Sequence, residues 1–270
     1  MKQQLKLIDR TFSHSILGYC SDYQTSDLFV WDRTNSIQNG EIVVITDMAL
    51  SNFVNGAKNI AWLIEPIDIA PQNYSIIQSI SNNFNKIFTH EKTLLDLGSP
   101  YEFIPFGCCW ILKDDQKIYP KNKMLSIIAS NKFQTNGHKL RHSVINQFKN
   151  KIDVYGRGWN PIDYKLDGLK DYRYSIVIEN CKRDYWFTEK LIDALVCGTI
   201  PIYWGCPSIG DFFDTRGFII FDNLNDLSLI IENLTEEKYN EMKPYIEANF
   251  IKAKEYMLPD DYIYKKLNYE

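Results

Sequence analysis

Tyr172-Arg173-Tyr174-Ser175-Ile176-Val177-Ile178-Glu179-Asn180-Cys181-Lys182-Arg183-Asp184-Tyr185-Trp186-Phe187-Thr188-Glu189-Lys190-Leu191-Ile192-Asp193-Ala194-Leu195-Val196-Cys197-Gly198-Thr199-Ile200-Pro201-Ile202-Tyr203-Trp204-Gly205 is the stretch that decides the fold. Residues 174–178 are apolar and β-branched, have the length of a buried strand, and stop at the polar pair Glu179 and Asn180. After a loop, Thr188 suits an N-cap. Leu191, Ile192, Leu195 and Val196 then recur at helical spacing, and Gly198 suits the position after the helix. Residues 200–204 form a second apolar run. Strand, short helix and strand make a βαβ unit, whose strands are parallel and whose crossover is right-handed. In such sheets ligands collect beyond the carboxyl ends of the strands.

That placement gives the polar residues two readings. Glu189 and Lys190 fall in the first helical turn, where free backbone N–H groups and the positive end of the helix dipole favour an anion such as a diphosphate. Lys190 would add a point charge, and Glu179 and Glu189 would accept hydrogen bonds from sugar or ribose hydroxyls. In the other reading Glu189 only complements the dipole and Lys190 is a solvated surface lysine.

Taken together, residues 172–180 and the run Asp184-Tyr185-Trp186-Phe187-Thr188-Glu189-Lys190 resemble the signature of the α1,3/4-fucosyltransferases, glycosyltransferase family 10. That pattern is Tyr-Lys-Phe, a few apolar residues, Glu-Asn, a spacer, then Asp-Tyr-Val-Thr-Glu-Lys. Here Arg173 replaces Lys, Tyr174 replaces Phe, Cys181 stands where Ser is usual, and Trp186-Phe187 lengthens the Tyr-Val step by one. Gly198-Thr199-Ile200-Pro201-Ile202 and Gly205 resemble the family's following Gly-x-x-Pro-Val strand and glycine. The resemblance implies an α/β protein of GT-B type, two Rossmann-like domains facing a cleft, with Glu179, Asn180, Tyr185, Glu189 and Lys190 on the donor nucleotide sugar.

The 270 residues suffice for two domains of about 120–150 residues. Between residues 5 and 107 strand candidates at 5–8, 28–31, 42–46, 60–64, 87–89 and 103–106 alternate with helix, clearest at 71–83. This is the pattern of a parallel sheet covered on both faces. Polar residues 114–117 and 119–123, with Pro120, read as a linker. A second alternating set follows: strand 125–129, helix 139–149, strand 152–155, the βαβ unit, and strand 217–221. Residues 235–257 read as helix interrupted at Pro244. The expected division is 1–120, an acceptor-binding domain, and 121–270, a nucleotide-sugar-binding domain. Chain beyond about residue 255 is expected to return to the first.

A net charge of −4 with no long run of either sign excludes broad electrostatic capture of nucleic acid or anionic lipid. The six cysteines, Cys20, Cys108, Cys109, Cys181, Cys197 and Cys206, show no metal-ligand spacing. They read as scattered reduced thiols, and with no signal-peptide pattern and no membrane-spanning run the expected location is cytoplasmic, or peripheral at a membrane.

Three further sites are legible. Ser130, Asn131 and Lys132 follow the strand at 125–129, with Arg141 and His142 in the next helix. In the resembling family a Ser/Asn turn here precedes an arginine on the donor diphosphate, which implies that role for Arg141; the alternative is an ordinary exposed arginine. Tyr155-Gly156-Arg157-Gly158 begins a dinucleotide fingerprint, but Pro161 takes the third glycine's place and no helix follows, which argues against NAD. By resemblance Tyr155 and Gly156 wall the donor pocket; a plain tight turn is the alternative. Lastly, the apolar run 60–64 ends at Glu65-Pro66. A carboxylate there, in a partly apolar cleft, would take the proton from an acceptor hydroxyl. The family's general base resembles Glu65; Asp47 and Glu91 are the alternatives after neighbouring strands.

The expected reaction is inverting transfer of fucose from GDP-fucose to a hydroxyl of an oligosaccharide or glycolipid, most simply in α1,3 linkage. Inversion needs one base. The paired glutamates eight positions apart of retaining GT-B enzymes are not matched by Glu179 and Glu189. With no Asp-x-Asp triplet, no cofactor is expected to be required, a divalent metal being at most stimulatory. Two alternatives stand: the same fold using another nucleotide sugar for surface polysaccharide, and an inactive carbohydrate- or nucleotide-binding protein. A serine hydrolase is excluded by the lack of a Gly-x-Ser-x-Gly elbow.

Overall fold

The apolar runs become strands of two parallel sheets. A computed structural model describes residues 2–10, 24–34 and 36–268. In the first unit β1 (Gln3–Ile8), β2 (Phe29–Asp32), β3 (Ile42–Thr46), β4 (Lys58–Trp62), β5 (Lys86–Thr89) and β6 (Tyr101–Phe103) pair in the order β2-β1-β3-β4-β5-β6. Every pair is parallel. The central strands are apolar on both faces because helices cover them. Val43, Ile45, Ala61 and Ile87 pack with Tyr74 and Ile77 of α1 (Pro71–Ile80) and Leu94 of α2 (Lys92–Leu95).

The second sheet holds β7 (Lys123–Ile128), β8 (Asp153–Tyr155), β9 (Tyr172–Ile178), β10 (Ile200–Trp204) and β11 (Ile219–Ile220), ordered β11-β10-β9-β7-β8 and again all parallel. Its helices are α3 (Asn136–Phe148), α4 (Glu189–Leu195), α5 (Leu224–Glu232), α6 (Glu236–Glu241) and α7 (Lys243–Ala253). β9 is buried along its whole length. Two of its polar residues are nonetheless satisfied: Ser175 meets the hydroxyl of Ser126 at 3.1 Å, and Arg173 pairs with Glu236 at 2.6 Å. Thr188 caps α4, its hydroxyl accepting the Lys190 N–H, and Gly198 takes φ 67 beyond the helix end.

The chain divides into Met1–Cys108 with Asp184–Trp186 and Leu258–Glu270, and Cys109–Arg183 with Phe187–Met257. The division thus falls before the polar linker at 114–123, whereas the sequence places it within that linker, at 120. Residues 110–115 are tied to the second unit: the Trp110 N–H donates to Asp193 at 2.6 Å, and the Tyr164 hydroxyl accepts from the Leu112 N–H and donates to Asp115. The last helix, α8 (Pro259–Asn268), belongs to the first unit. There Asp260 accepts the Trp31 indole N–H at 2.5 Å and Tyr264 stacks on Phe29 at 5.1 Å.

Boundaries shift where backbone groups change partners. The run expected at 60–64 ends as a strand at Trp62; the Leu63 N–H still donates to Phe88 O at 2.9 Å, and the Ile64 N–H then turns to the carboxylate of Asp47. The strand expected at 103–106 is Tyr101–Phe103. The helix expected over 235–257 is interrupted as expected, at Met242 between α6 and α7, and Pro244 stands in the first turn of α7, where a missing N–H costs nothing. Cys108 is disulfide-bonded, against the expectation of reduced thiols throughout; Cys109, Cys181, Cys197 and Cys206 are reduced thiols. Pairing depends on which side chains tertiary structure brings within bonding distance, which spacing does not reveal. The thiol argument for a cytoplasmic location falls with it. Among the described residues no helix is long and apolar enough to cross a membrane.

Candidate functional site

The second sheet has a switch point. From β7 the chain moves to β8 on one side and returns to β9 on the other, so the connections leaving β7 and β9 part and open a crevice at the strands' carboxyl ends. A cavity of about 410 Å3 lies there. Its walls come from the turn after β7 (Ala129, Ser130, Asn131, Lys132), the turn after β8 (Gly156, Arg157), the end of β9 (Ile178, Asn180), and His138, Arg141, Glu189, Lys190 and Asp193 of the two helices. Trp110, Lys165 and Leu169 close it. Five cationic side chains (Lys132, Arg141, Arg157, Lys165, Lys190) face two carboxylates, Glu189 and Asp193. The excess of positive charge suits a diphosphate.

Close backbone approach shapes the crevice. Gly137 in the first turn of α3 donates its N–H to Asn180 O at 3.0 Å, and a Cβ there would lie 1.8 Å from Glu179 O. Gly156 has φ 110, and a Cβ would meet Ala129 O at 2.1 Å. Arg141, nearly fully buried, donates its Nε to Ile178 O at 3.0 Å and its Nη2 to Ile178 O and to Asn180 Oδ1, the latter at 3.0 Å. It braces the end of β9 while its charge remains at the cavity. His138 closes a capping box with Thr135. Burial and then Arg141, Lys132 and Lys190 push its imidazole down to about 4, so it lines the cavity neutral at pH 7.

Glu189 is held ionised. Burial opposes this, but Lys190 and Lys165 outweigh it and hold the carboxyl well below the usual range. Lys190 Nζ lies 3.0 Å and Lys165 Nζ 3.4 Å from its Oε1. Lys165 also pairs with Asp193 at 2.9 Å and sits 4.2 Å over the Trp110 ring, a cation–π contact. For this partly buried lysine the two carboxylates overcome desolvation and keep the ammonium charged.

Of the residues singled out in the sequence, Ser130, Asn131, Arg141, Gly156, Asn180, Glu189 and Lys190 line this cavity, and three expected beside them do not. Glu179 is wholly buried and spends both oxygens on Thr188, accepting its N–H at 2.8 Å and its hydroxyl at 2.7 Å. Burial raises its pKa, and its two bonds to Thr188 tie down the loop before α4. The Tyr155 hydroxyl bonds that of Tyr172 at 2.8 Å. Tyr185, at φ 60, belongs to the first unit and packs edge-on against Phe103 at 5.6 Å. The sequence reading missed Lys165, Trp110, His138 and Asp193. Only Asp193 carried a signal, a carboxylate inside the apolar run Leu191 to Leu195.

In the first unit Glu65 is half-buried on the turn after β4. Its N–H donates to Asp47 Oδ2 at 3.2 Å and its carbonyl accepts the Tyr74 hydroxyl at 2.9 Å. Asp47, itself at φ 28, is 2% exposed, and burial pushes its carboxyl up to about 7. Among the described residues no three His, Cys, Asp or Glu side chains are grouped to hold a metal ion.

Comparison with known proteins addresses both units. Residues 118–248 match the model of glycosyltransferase family 10 (fucosyltransferase) C-term. A stretch of 82 residues is 35% identical to the α-(1,3)-fucosyltransferase FucT of Helicobacter pylori, covering 30% of this chain and 16% of that protein. A putative fucosyltransferase of Acanthamoeba polyphaga mimivirus is 20% identical over 77% of this chain and 44% of its own length. The chain thus spans less than half of these relatives. Among solved structures, an α1,3-fucosyltransferase with GDP superposes with a TM-score of 0.57 at 18% identity, over 94% of this chain and 89% of that one. TarM superposes with a TM-score of 0.53 at 14% identity, over 84% and 54%. At such identities the likeness shows the fold, the α/β architecture with two parallel sheets.

Proposed function

Because residues 118–248 belong to glycosyltransferase family 10, we propose that this protein transfers fucose from GDP-fucose to a hydroxyl of a glycan acceptor, with inversion and in α1,3 linkage. The observation that carries the reading is the cavity at the β7–β9 switch point, lined by residues of the family motif and by five cationic side chains against two carboxylates. Solved structures of the same fold include an α1,3-fucosyltransferase with GDP and one with GDP-fucose, which supports a guanosine diphosphate sugar as the donor class.

In this reading Lys190 and Arg141 take the diphosphate and the ionised Glu189 accepts from the ribose hydroxyls. Lys165, on the same wall, helps to hold Glu189 charged. The anomeric carbon loses the bond to the diphosphate oxygen as the acceptor oxygen attacks from the opposite face. Glu65 takes the acceptor's proton, and the leaving diphosphate keeps the bonding pair, stabilised by fixed positive charge. Those cations supply what a bridging divalent metal supplies elsewhere, so transfer proceeds in chelator.

The test is isothermal titration in chelator with GDP-fucose, GDP, GDP-mannose and UDP, followed by turnover with a panel of glycans. Binding of GDP and GDP-fucose without UDP, then product, is the expected result. A preference for UDP, or binding with no product on any glycan, overturns it. Glu65→Gln should remove turnover while GDP affinity stays within about twofold, since the change leaves the cationic cavity intact.

A further inference from the structure

The base proposed above sits on a turn whose four backbone polar groups are all engaged. The Ile64 N–H donates to Asp47 Oδ1 at 3.0 Å and the Glu65 N–H to Asp47 Oδ2 at 3.2 Å, so one carboxylate spans two successive amides. On the carbonyl side, Ile64 O accepts the Trp186 indole N–H at 3.3 Å and Glu65 O accepts the Tyr74 hydroxyl at 2.9 Å. The three side chains come from separate places in the sequence: the turn after β3, helix α1, and the 184–186 segment that belongs to this unit. All three are buried.

An ordinary turn needs no such apparatus. β3 and β4 are already held by their ladder from Ile42–Lys58 to Thr46–Trp62, and the clamp begins just where that ladder ends. Asp47 also adopts φ 28, a strained conformation for a residue with a side chain, and that conformation accompanies its two-amide grip on Ile64 and Glu65. A buried carboxylate is a costly way to satisfy two amides unless their placement matters. What the clamp fixes is the Cα–Cβ direction of Glu65, and proton transfer depends on that direction to within a fraction of an ångström.

We propose that Asp47 is a positioning residue for Glu65, holding the Ile64 and Glu65 amides so that the Glu65 carboxylate is preset for the acceptor hydroxyl. Tyr74 and Trp186 complete the clamp. The inference rests on the reading of Glu65 as the base, and it makes Asp47 a contributor to turnover rather than a second base.

The measurement is steady-state kinetics on Asp47→Asn, with Glu65→Gln and Tyr74→Phe alongside. Asparagine tolerates the left-handed conformation and keeps the shape, but it turns an NH2 group toward one of the two amides. The expected result is a fall in kcat of about 10- to 100-fold with donor KM and GDP affinity unchanged, the signature of an interaction used in the transition state. Tyr74→Phe, which removes only the carbonyl contact, should lower kcat less, again at constant GDP affinity. Unchanged kcat per folded molecule in Asp47→Asn overturns the proposal, as does a parallel loss of kcat and GDP affinity, which would mark a purely structural role. Should Asp47→Asn not fold, Tyr74→Phe decides by the same criteria. If Glu65→Gln itself retains turnover, the base assignment fails, a result distinct from failure of Asp47→Asn alone.

Discussion

At the scale of single residues, the site separates side chains that face the cavity from those that hold such side chains in place. Lys190 lies between Thr188 Oγ1 and Glu189 Oε1 at the cavity wall, so replacing it by alanine should weaken GDP binding about 10- to 100-fold, the worth of a charge-assisted hydrogen bond. Titration calorimetry reads this, with Lys182→Ala, an exposed lysine paired to Asp222, expected to stay within about twofold. Glu179→Ala would leave the Thr188 N–H and hydroxyl buried without partners, and denaturant unfolding should show a loss of about 2–4 kcal/mol. Asp47 carries a pH dependence. Burial lifts its pKa in the folded chain to about 7, above the 3.8 usual for aspartate, so the folded state binds the proton more tightly. Its stabilising contribution is full below about pH 4 and is lost as pH rises to about 7, on the order of 4 kcal/mol in all. Melting curves across that range should show this limb in the native chain, and Asp47→Asn should lack it.

At the scale of elements, what makes the crevice is the distance at which helices meet strand ends. α3 reaches β9 because Gly137 has no Cβ: its N–H bonds Asn180 O, and a methyl group would sit 1.8 Å from Glu179 O. Gly137→Ala should therefore push α3 away from β9, loosening Arg141 from Ile178 O, and should lower both stability and GDP affinity. Gly210→Ala, where the added methyl would meet only Thr215 Cγ2 at 3.5 Å, is the matched comparison and should do neither. Melting temperature and calorimetry on the pair check this. The βαβ unit from β9 to β10 was legible because both strands are short, mostly apolar and buried but for the half-buried Trp204, and because Thr188 and Gly198 mark the ends of the intervening helix. The ends of β4 and β6 were not, since an apolar run shows where a strand is buried and not where its amides leave the ladder.

At the scale of the whole molecule, the cavity lies entirely within residues assigned to the second unit, although the chain visits the first unit at 184–186 in the middle of the family motif. A ligand binding there stabilises what it touches by mass action, about 2.7 kcal/mol at a hundredfold excess over Kd. Hydrogen exchange with saturating GDP should show added protection at residues 128–132, 156–157 and 189–193. Strands β1 to β6 should change little. Protection confined to the first unit would remove this cavity from the donor role.

By itself the sequence determined the two alternating α/β sets, the βαβ unit and seven of the residues that line the cavity, because burial, helix capping and motif spacing are local properties of the chain. Tertiary structure alone decided the rest. Trp110 reaches the cavity from a loop and Lys165 from the start of a short 3-10 helix, neither with a periodic pattern, Cys108 has a covalent partner, and Asp47 grips the turn of Glu65. Each of these depends on which distant segments meet, and a side chain's partner across 17 or more residues is set by packing of the whole unit, which no local pattern encodes.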